Sequence, residues 1–255
     1  MSRPSENPSP GSVRILGLDF FDGPPEAAVD RALRGGLTCA PSGPGLATLD
    51  RQATYRSSLR AADTLLADSG FMVLVWRLLG RKPPRRISGL TFMRLLVPRL
   101  RAFTPKDLFW VFPHREDGET MQYWLNRQGI PIPPESCYDA PWYPSDQPID
   151  AELEGLLKQR RPKVVVLTIA GGKQEILGAW LSQRLPNRPA IICTGAALAF
   201  MTGSQVAIPG WVDRCYLGWF WRILSDPPRY GLRFLRAFRL LKLLLVWRNR
   251  LPETR

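Results

Sequence analysis

Three groups of residues in this chain have types and spacings that could do chemistry. Asp68 lies between two apolar stretches and next to the Ser69-Gly70 pair. A carboxylate at the end of an element, in a cleft, can take the proton of a hydroxyl as a general base. The same position also suits a helix cap or a surface aspartate. The second group is Thr168-Ile169-Ala170-Gly171-Gly172-Lys173-Gln174-Glu175, which reads as a strand end, a glycine turn and a helix start. Paired glycines let a phosphate approach the backbone, a helix N-terminus offers N–H groups to an anion, and Lys173 adds a charge. A tight turn without a ligand would read the same way, and neither a Walker loop nor a G-x-G-x-x-G fingerprint is present. The third group is Arg85, Arg86, Arg222 and Arg229. Guanidinium groups bind phosphate oxygens in pairs, so these four could gather around a diphosphate, although arginines in so basic a chain also simply face solvent.

Other chemistries are narrowed by what the chain lacks. His114 is the single histidine, so a Ser-His-Asp triad has one place to form and a multi-histidine metal site none. Cys39, Cys137, Cys193 and Cys215 stand far apart with no C-x-x-C pair and read as ordinary reduced thiols. Catalysis is therefore expected to lean on carboxylates and arginines, with no metal site and no cofactor.

Elements that could position these groups follow from the apolar pattern. Residues 13–18 read as a strand, followed by a turn at Asp22-Gly23-Pro24-Pro25 and a helix through Leu33; residues 37–39 read as another strand. Residues 46–66 have helix-compatible spacing, and 71–79 are apolar enough for a buried helix or a strand. Residues 108–112 predict a strand, 119–128 a helix, and the proline-rich stretch 130–149 an irregular connection. Val164 to Ile169 is a β-branched run bounded by Pro162 and Gly171, the clearest buried strand of the chain; a helix over 173–185 and a strand over 190–194 follow. Strands alternating with helices predict an α/β fold, a Rossmann-like parallel sheet with helices on both faces.

With 255 residues and 45% hydrophobic content the chain can bury a real core. Residues 1–12, rich in Pro and Ser and without the apolar core of a signal peptide, are expected to be a disordered lead-in. An α/β domain over 13–205 and a C-terminal appendage over 206–255 complete the division. A formal charge of +13 and a pI near 10.3 call for an anionic partner: nucleic acid, phospholipid or a phosphate-bearing substrate. From Arg229 to Arg250, Arg233, Arg236, Arg239 and Lys242 recur at spacings of three and four through a segment rich in Leu and Phe. The pattern fits a basic amphipathic helix lying on an anionic membrane surface, its apolar runs being too short to span a bilayer. The same stripe could instead pack on the protein's own core.

Taken in order, the motifs resemble those of the WecG/TagA/CpsF glycosyltransferases, glycosyltransferase family 26. Ala67-Asp68-Ser69-Gly70 is similar to the family's A/P-D-G loop, Arg86-Ile87-Ser88-Gly89 to its R-x-x-G, and Gly171-Gly172-Lys173-Gln174-Glu175 to G-x-P-K-Q-E with glycine where proline is usual. Gly203, Pro209, Trp211, Trp219, Arg222 and Pro227 fall where the family has its C-terminal A-G, R-A-P-x-W and G-L-E-W-x-x-R-L-x-x-E-P motifs. The resemblance implies inverting, metal-independent transfer of an N-acetylhexosamine-type sugar, such as an N-acetylmannosamine, from a UDP-sugar donor to a polyprenyl-diphosphate-linked acceptor. It places this work in surface polysaccharide synthesis, on the cytoplasmic side, peripherally on the inner face of the plasma membrane. It makes Asp68 the general base, places Arg86, Gln174 and Glu175 in the nucleotide-sugar pocket with the Gly171–Lys173 turn, and brings Arg222 and Arg229 over the leaving diphosphate.

The departures from the family pattern define the alternatives. Its T-x-N segment falls near Ala40-Pro41-Ser42, with Ser42 as a partial substitute. Its G-V-G-x-x-F-D reads Cys193-Thr194-Gly195-Ala196-Ala197-Leu198-Ala199, which keeps Gly195 and loses the acid, and the glutamate of G-L-E-W is Gly218. A catalytically silent relative acting as a membrane-associated binding protein therefore stays open beside the enzyme. Nucleic-acid binding rests on charge alone, since no recognisable nucleic-acid module is present, and is not expected. A homo-oligomer is left open.

Overall fold

The structure, a computed structural model, describes residues 8–113, 115–203 and 238–253. The core of the molecule is an eight-stranded sheet in the order β1-β2-β4-β3-β8-β7-β5-β6. Its strands are β1 (Ser12–Ile15), β2 (Leu18–Phe21), β3 (Gly36–Cys39), β4 (Thr64–Leu65), β5 (Leu108–Phe112), β6 (Cys137–Asp139), β7 (Val164–Leu167) and β8 (Ala190–Cys193). All neighbours pair in parallel except the β1–β2 hairpin. The four central strands β3, β5, β7 and β8 are buried on both faces, which is why they read as continuous apolar runs.

The helices are α1 (Pro25–Leu33), α2 (Gly43–Leu46), α3 (Ala53–Ala61), α4 (Gly70–Leu78), α5 (Gly89–Leu100), α6 (Arg115–Arg127), α7 (Ala151–Arg160), α8 (Lys173–Ser182) and α9 (Ala197–Thr202). They divide between two apolar clusters. Tyr55 and Leu59 of α3, Met72, Val73, Val75 and Trp76 of α4, Leu153 and Leu157 of α7 and Ile176, Leu177, Ala179 and Leu181 of α8 pack on one face of the sheet. Residues of α1, α5, α6 and α9 pack on the other. The predicted arrangement, a parallel sheet with helices on both faces, is what forms.

Several elements differ from the sequence expectation. The expected strand over 13–18 is a hairpin: Leu16 and Gly17 both take positive φ, 52° and 70°, the geometry of a two-residue turn between twisted strands. The expected helix over 46–66 is the last residue of α2, a turn, α3 and then β4, because the chain leaves helical geometry at Ala62, and Thr64–Leu65 then pairs with β3. Residues 71–79 fold as helix. The stretch expected to be irregular contains β6, and α5 and α7 had no counterpart among the expected elements. Ser9, inside the segment expected to be a lead-in, donates its N–H and hydroxyl to the Asp19 carboxylate, and Ser12 opens β1.

Residues 238–247 are helical. Leu240, Leu243 and Leu244 are buried in the same cluster as α3 and α4, and Arg239 donates to both oxygens of Asp50 at 2.7 and 2.8 Å. Part of the apolar stripe thus packs on the protein itself, while Phe238, Leu245 and Val246 stay exposed. After the helix, the carbonyls of Arg248 and Asn249 accept the N–H groups of Leu16 and Gly17 at 2.6 and 3.1 Å. No helix among the described residues is long and apolar enough to cross a membrane. Arg229, Arg233 and Arg236 of the expected basic face, Cys215, His114 and the expected boundary at 205/206 lie outside the described residues.

Candidate active site

In the sheet order, β4, β3, β8 and β7 stand side by side and end at the same edge. The chain leaves β3 and β7 toward one face, into α2 and α8, and leaves β8 toward the other, into α9. A crevice beyond the strand ends at such a reversal is where open parallel sheets bind ligands. Three spacings of about 4.8 Å separate β4 from β7 along that edge.

One wall is built by the loops after β4 and before α5. Asp68 follows the buried Leu66 and Ala67 and is itself half-buried. The cap of α4 is the next residue, since the Ser69 hydroxyl accepts the Met72 N–H at 3.2 Å. The Asp68 carboxylate instead accepts the Gly89 N–H at 2.9 Å, where α5 begins under its own cap, Ser88. Asp68 is thus held by the first turn of a helix to which it does not belong, which orients one oxygen and favours negative charge there. Arg86, half-buried, donates Nε to the Asp68 backbone carbonyl at 3.2 Å. Glycine at 89 is required by crowding: a Cβ there would stand 2.9 Å from the Thr194 carbonyl oxygen. Arg85 is exposed, with its backbone N–H on Asp22.

The opposite wall is the β7–α8 turn. Gly172 has φ 93°, which glycine tolerates and proline, locked near −65°, does not. Its N–H donates to Glu175 Oε2 at 2.6 Å, a bond proline could not make. The turn of this chain therefore differs physically from the family's proline turn. It also differs from an open phosphate cradle, because the Gly172 N–H is already used by Glu175. The Gly171 turn is otherwise open, with free space around both glycines. Lys173 does not reach into the crevice: its ammonium donates to the Tyr143 carbonyl and stands 4.5 Å from the centre of the Trp142 ring. That pins the proline-rich connection beside the turn. Asp150 pins it from behind, accepting the Tyr138 and Tyr143 hydroxyls at 2.9 and 2.6 Å.

Gln174 and Glu175 are buried between the walls. Gln174 Oε1 accepts the Gly195 N–H at 3.0 Å and its Nε2 donates to Glu175 Oε1 at 3.3 Å, so the amide braces the β7 turn against the β8 turn. Gly195, with φ 63°, makes that approach possible. Burial pushes the Glu175 carboxyl up to about 7, the nearby charge of Asp68 adding to the rise, against hydrogen bonds from its own backbone, Gln174 and Gly172 that hold it down. Asp68 and Glu175 therefore sense each other across one crevice, and Glu175 changes protonation near neutrality.

Ser42, exposed after β3, caps α2 by accepting the Gly45 N–H at 3.4 Å. Arg222, Arg229, Gly218 and the motif positions from Pro209 to Pro227 lie outside the described residues. Ala199, where the family carries its acid, is packed in the apolar cluster with α5 and α6.

Three residues at the site escaped the reading of the motifs. The Tyr55 hydroxyl and Thr194 Oγ1 are buried polar atoms with no hydrogen-bond partner among the described residues. Burial, then the charges of Glu175, Cys39 and Asp68, push the Tyr55 phenol well up. Gly45 leaves the room this hydroxyl needs, since a Cβ there would stand 2.5 Å from it. Nothing in local sequence marks Tyr55, whereas Thr194, a polar residue directly after an apolar strand, could have been noticed. Thr38 is buried in β3, two residues before Ala40.

No curated protein matches the chain in sequence. Residues 13–255, nearly the whole chain, match the family described as "Glycosyl transferase WecG/TagA/CpsF family". The chain therefore belongs to the WecG/TagA/CpsF glycosyltransferases, glycosyltransferase family 26.

Proposed function

We propose that this glycosyltransferase moves an N-acetylhexosamine-type sugar, N-acetylmannosamine-like, from a UDP-sugar to a polyprenyl-diphosphate-linked acceptor in surface polysaccharide synthesis. The observation that carries the reading is the pairing of Asp68, oriented by the Gly89 N–H, with the Gln174–Glu175 brace on the other side of one crevice. In the proposed reaction the acceptor hydroxyl oxygen attacks the anomeric carbon from the side opposite the nucleotide. The bond from that carbon to the β-phosphate oxygen breaks, UDP leaves with the electron pair, and the hydroxyl proton passes to Asp68. Inversion follows from a single displacement. Arg86, with Arg222 and Arg229 of the proposed appendage, stabilises the growing diphosphate charge in the role a metal plays elsewhere. Family membership, the basic charge and the exposed Leu245 and Val246 of the C-terminal helix support peripheral attachment to the inner face of the plasma membrane.

UDP release from UDP-N-acetylmannosamine in the presence of a lipid-diphosphate acceptor tests the reading. Asp68→Asn should lower kcat by a factor of about 10² or more, the usual contribution of a general base, with UDP affinity little changed. Unchanged turnover removes Asp68 from the mechanism. A second reading, a silent binding protein, is favoured by the methyl group of Ala199 in the place of the family's acid. Binding of UDP without turnover on any lipid-linked acceptor would support it.

A further inference from the structure

We propose that α4 is a second membrane-contacting helix, so that the protein docks on an anionic bilayer through two adjacent helices and not through its C-terminal tail alone. The inference rests on the peripheral-membrane part of the proposed function and adds a surface that no tail pattern contains. Helix α4 starts at the cap Ser69, beside Asp68, and the C-terminal helix lies next to it. A Cβ on Gly43 would stand 3.0 Å from Ser69 Oγ and 3.8 Å from a Leu240 methyl, which brings the start of α4 beside the first described turn of the C-terminal helix. At the other end Arg81 reaches Asn249 at 3.5 Å. Nine residues of chain separate Leu240 from Asn249, and a similar number separate Ser69 from Leu79, so the helices run alongside in the same direction.

Both bury their inner sides in one cluster and leave apolar side chains outside. Leu78 is 77% exposed, and Leu74, four residues before it on the same side of α4, is half-buried. Leu78 precedes Arg81 by about one turn, as Leu245 and Val246 precede Asn249. The three exposed side chains therefore gather at the same end of the helix pair. The charge around them is mainly positive: Arg77, Arg81 and Lys82 lie at the end of α4 and Arg239, Lys242, Arg248 and Arg250 along the C-terminal segment. The acids near them, Asp22 and Asp50, are ion-paired with Lys82 and Arg239, and Glu253 follows the segment. Arg77 and Lys242 are exposed beside Leu78 and Leu245. Apolar side chains flanked by an excess of cations match an anionic bilayer interface in charge and polarity. Helix α4 is on the order of 14 Å long, so Asp68 lies that far along the same surface from the apolar end, within reach of a headgroup-linked diphosphate.

Sedimentation with vesicles of phosphatidylcholine, alone or with phosphatidylglycerol, tests this on the full chain. Wild type should sediment with the phosphatidylglycerol vesicles and less with phosphatidylcholine alone. Leu78→Glu and Arg77→Glu should each weaken the partition by about tenfold, since a desolvated leucine or a reversed charge near anionic lipid is worth at least that ratio. Tyr123→Glu, exposed on α6 across the sheet, should bind as wild type does. Both α4 positions are exposed, so unchanged melting temperatures are expected to show intact folding. Wild-type partition in both α4 variants overturns the proposal, as does failure of the wild type to bind anionic vesicles or a concentration-dependent dimer that Leu78→Glu abolishes. UDP binding, measured on the same samples, is independent of the lipid surface. Its retention with loss of vesicle binding separates failure of this inference from failure of the transferase reading.

Discussion

Glu175 is the residue whose surroundings say most about the site. It is fully enclosed, yet its two oxygens accept from Gln174 and Gly172, so it sits between the penalty of burial and the support of two donors. Its proton affinity in the folded protein, raised from 4.5 to about 7, makes the native state hold a proton that the unfolded chain has lost between those values. The stability this contributes is fully present below pH 4.5, falls as pH rises through the window and is gone above about 7, a change on the order of 3 kcal/mol. Glu175→Gln keeps an acceptor for Gly172 and does not titrate. Its stability relative to wild type should therefore climb by that amount across the window, read from chemical denaturation at each pH; parallel curves would show that Glu175 is ionised throughout. Asp68, Gln174 and Glu175 could be read in the sequence only as members of spaced motifs. Tyr55 could not be read at all, because it reaches the site from the first turn of α3 through a contact that tertiary packing alone creates. The use of Gln174 as a brace was equally hidden, since its Gly195 partner, 21 residues on, is brought to it only by the fold.

At the scale of elements, the β7–α8 turn is where this chain departs most clearly from its family. Gly172 combines a left-handed φ with a donated N–H, and both properties hold Glu175 in place. Gly172→Ala should destabilise by about 1 kcal/mol through strain at positive φ. Gly172→Pro, which also removes the donor, should lose roughly 3 kcal/mol or more. Urea midpoints measure both, and a proline variant as stable as wild type would show that the turn rearranges freely. The strands β3, β5, β7 and β8 were legible because short β-branched and aromatic runs between turn residues suit a strand buried on both faces and are too short for a buried helix. Helices α6 and α8 followed from their periodicity. Two residues of β4 were not legible, since Thr64–Leu65 continues an apolar spacing that suits a helix, and only pairing with β3 and β2 makes it a strand. The hairpin was missed for a similar reason: Leu16 at φ 52° is an uncommon choice, stabilised by burial and by the Arg248 carbonyl that its N–H reaches from the far end of the chain.

For the whole molecule, fold and chemistry meet at one edge of the sheet. The N-termini of α4, α5 and α8 point at that edge, the four central strands end there, and the C-terminal helix packs along α4 from the same side. Convergent helix N-termini favour a bound diphosphate even though no single turn forms a Walker loop. The C-terminal stripe, whose residue pattern suits either lipid or the core, divides: Leu240, Leu243 and Leu244 go inward and Leu245 and Val246 outward. Helix periodicity alone could not assign the inward set, because the apolar cluster of α3 and α4 that it joins is a tertiary feature. Hydrogen–deuterium exchange of the full chain with and without saturating UDP is the sharpest test of a nucleotide held between two walls. Exchange should slow in the segments around Gly89, Gly172 and Gly195, on both sides of the crevice at once. Protection confined to one wall, or lying elsewhere on the molecule, would rule out a shared crevice.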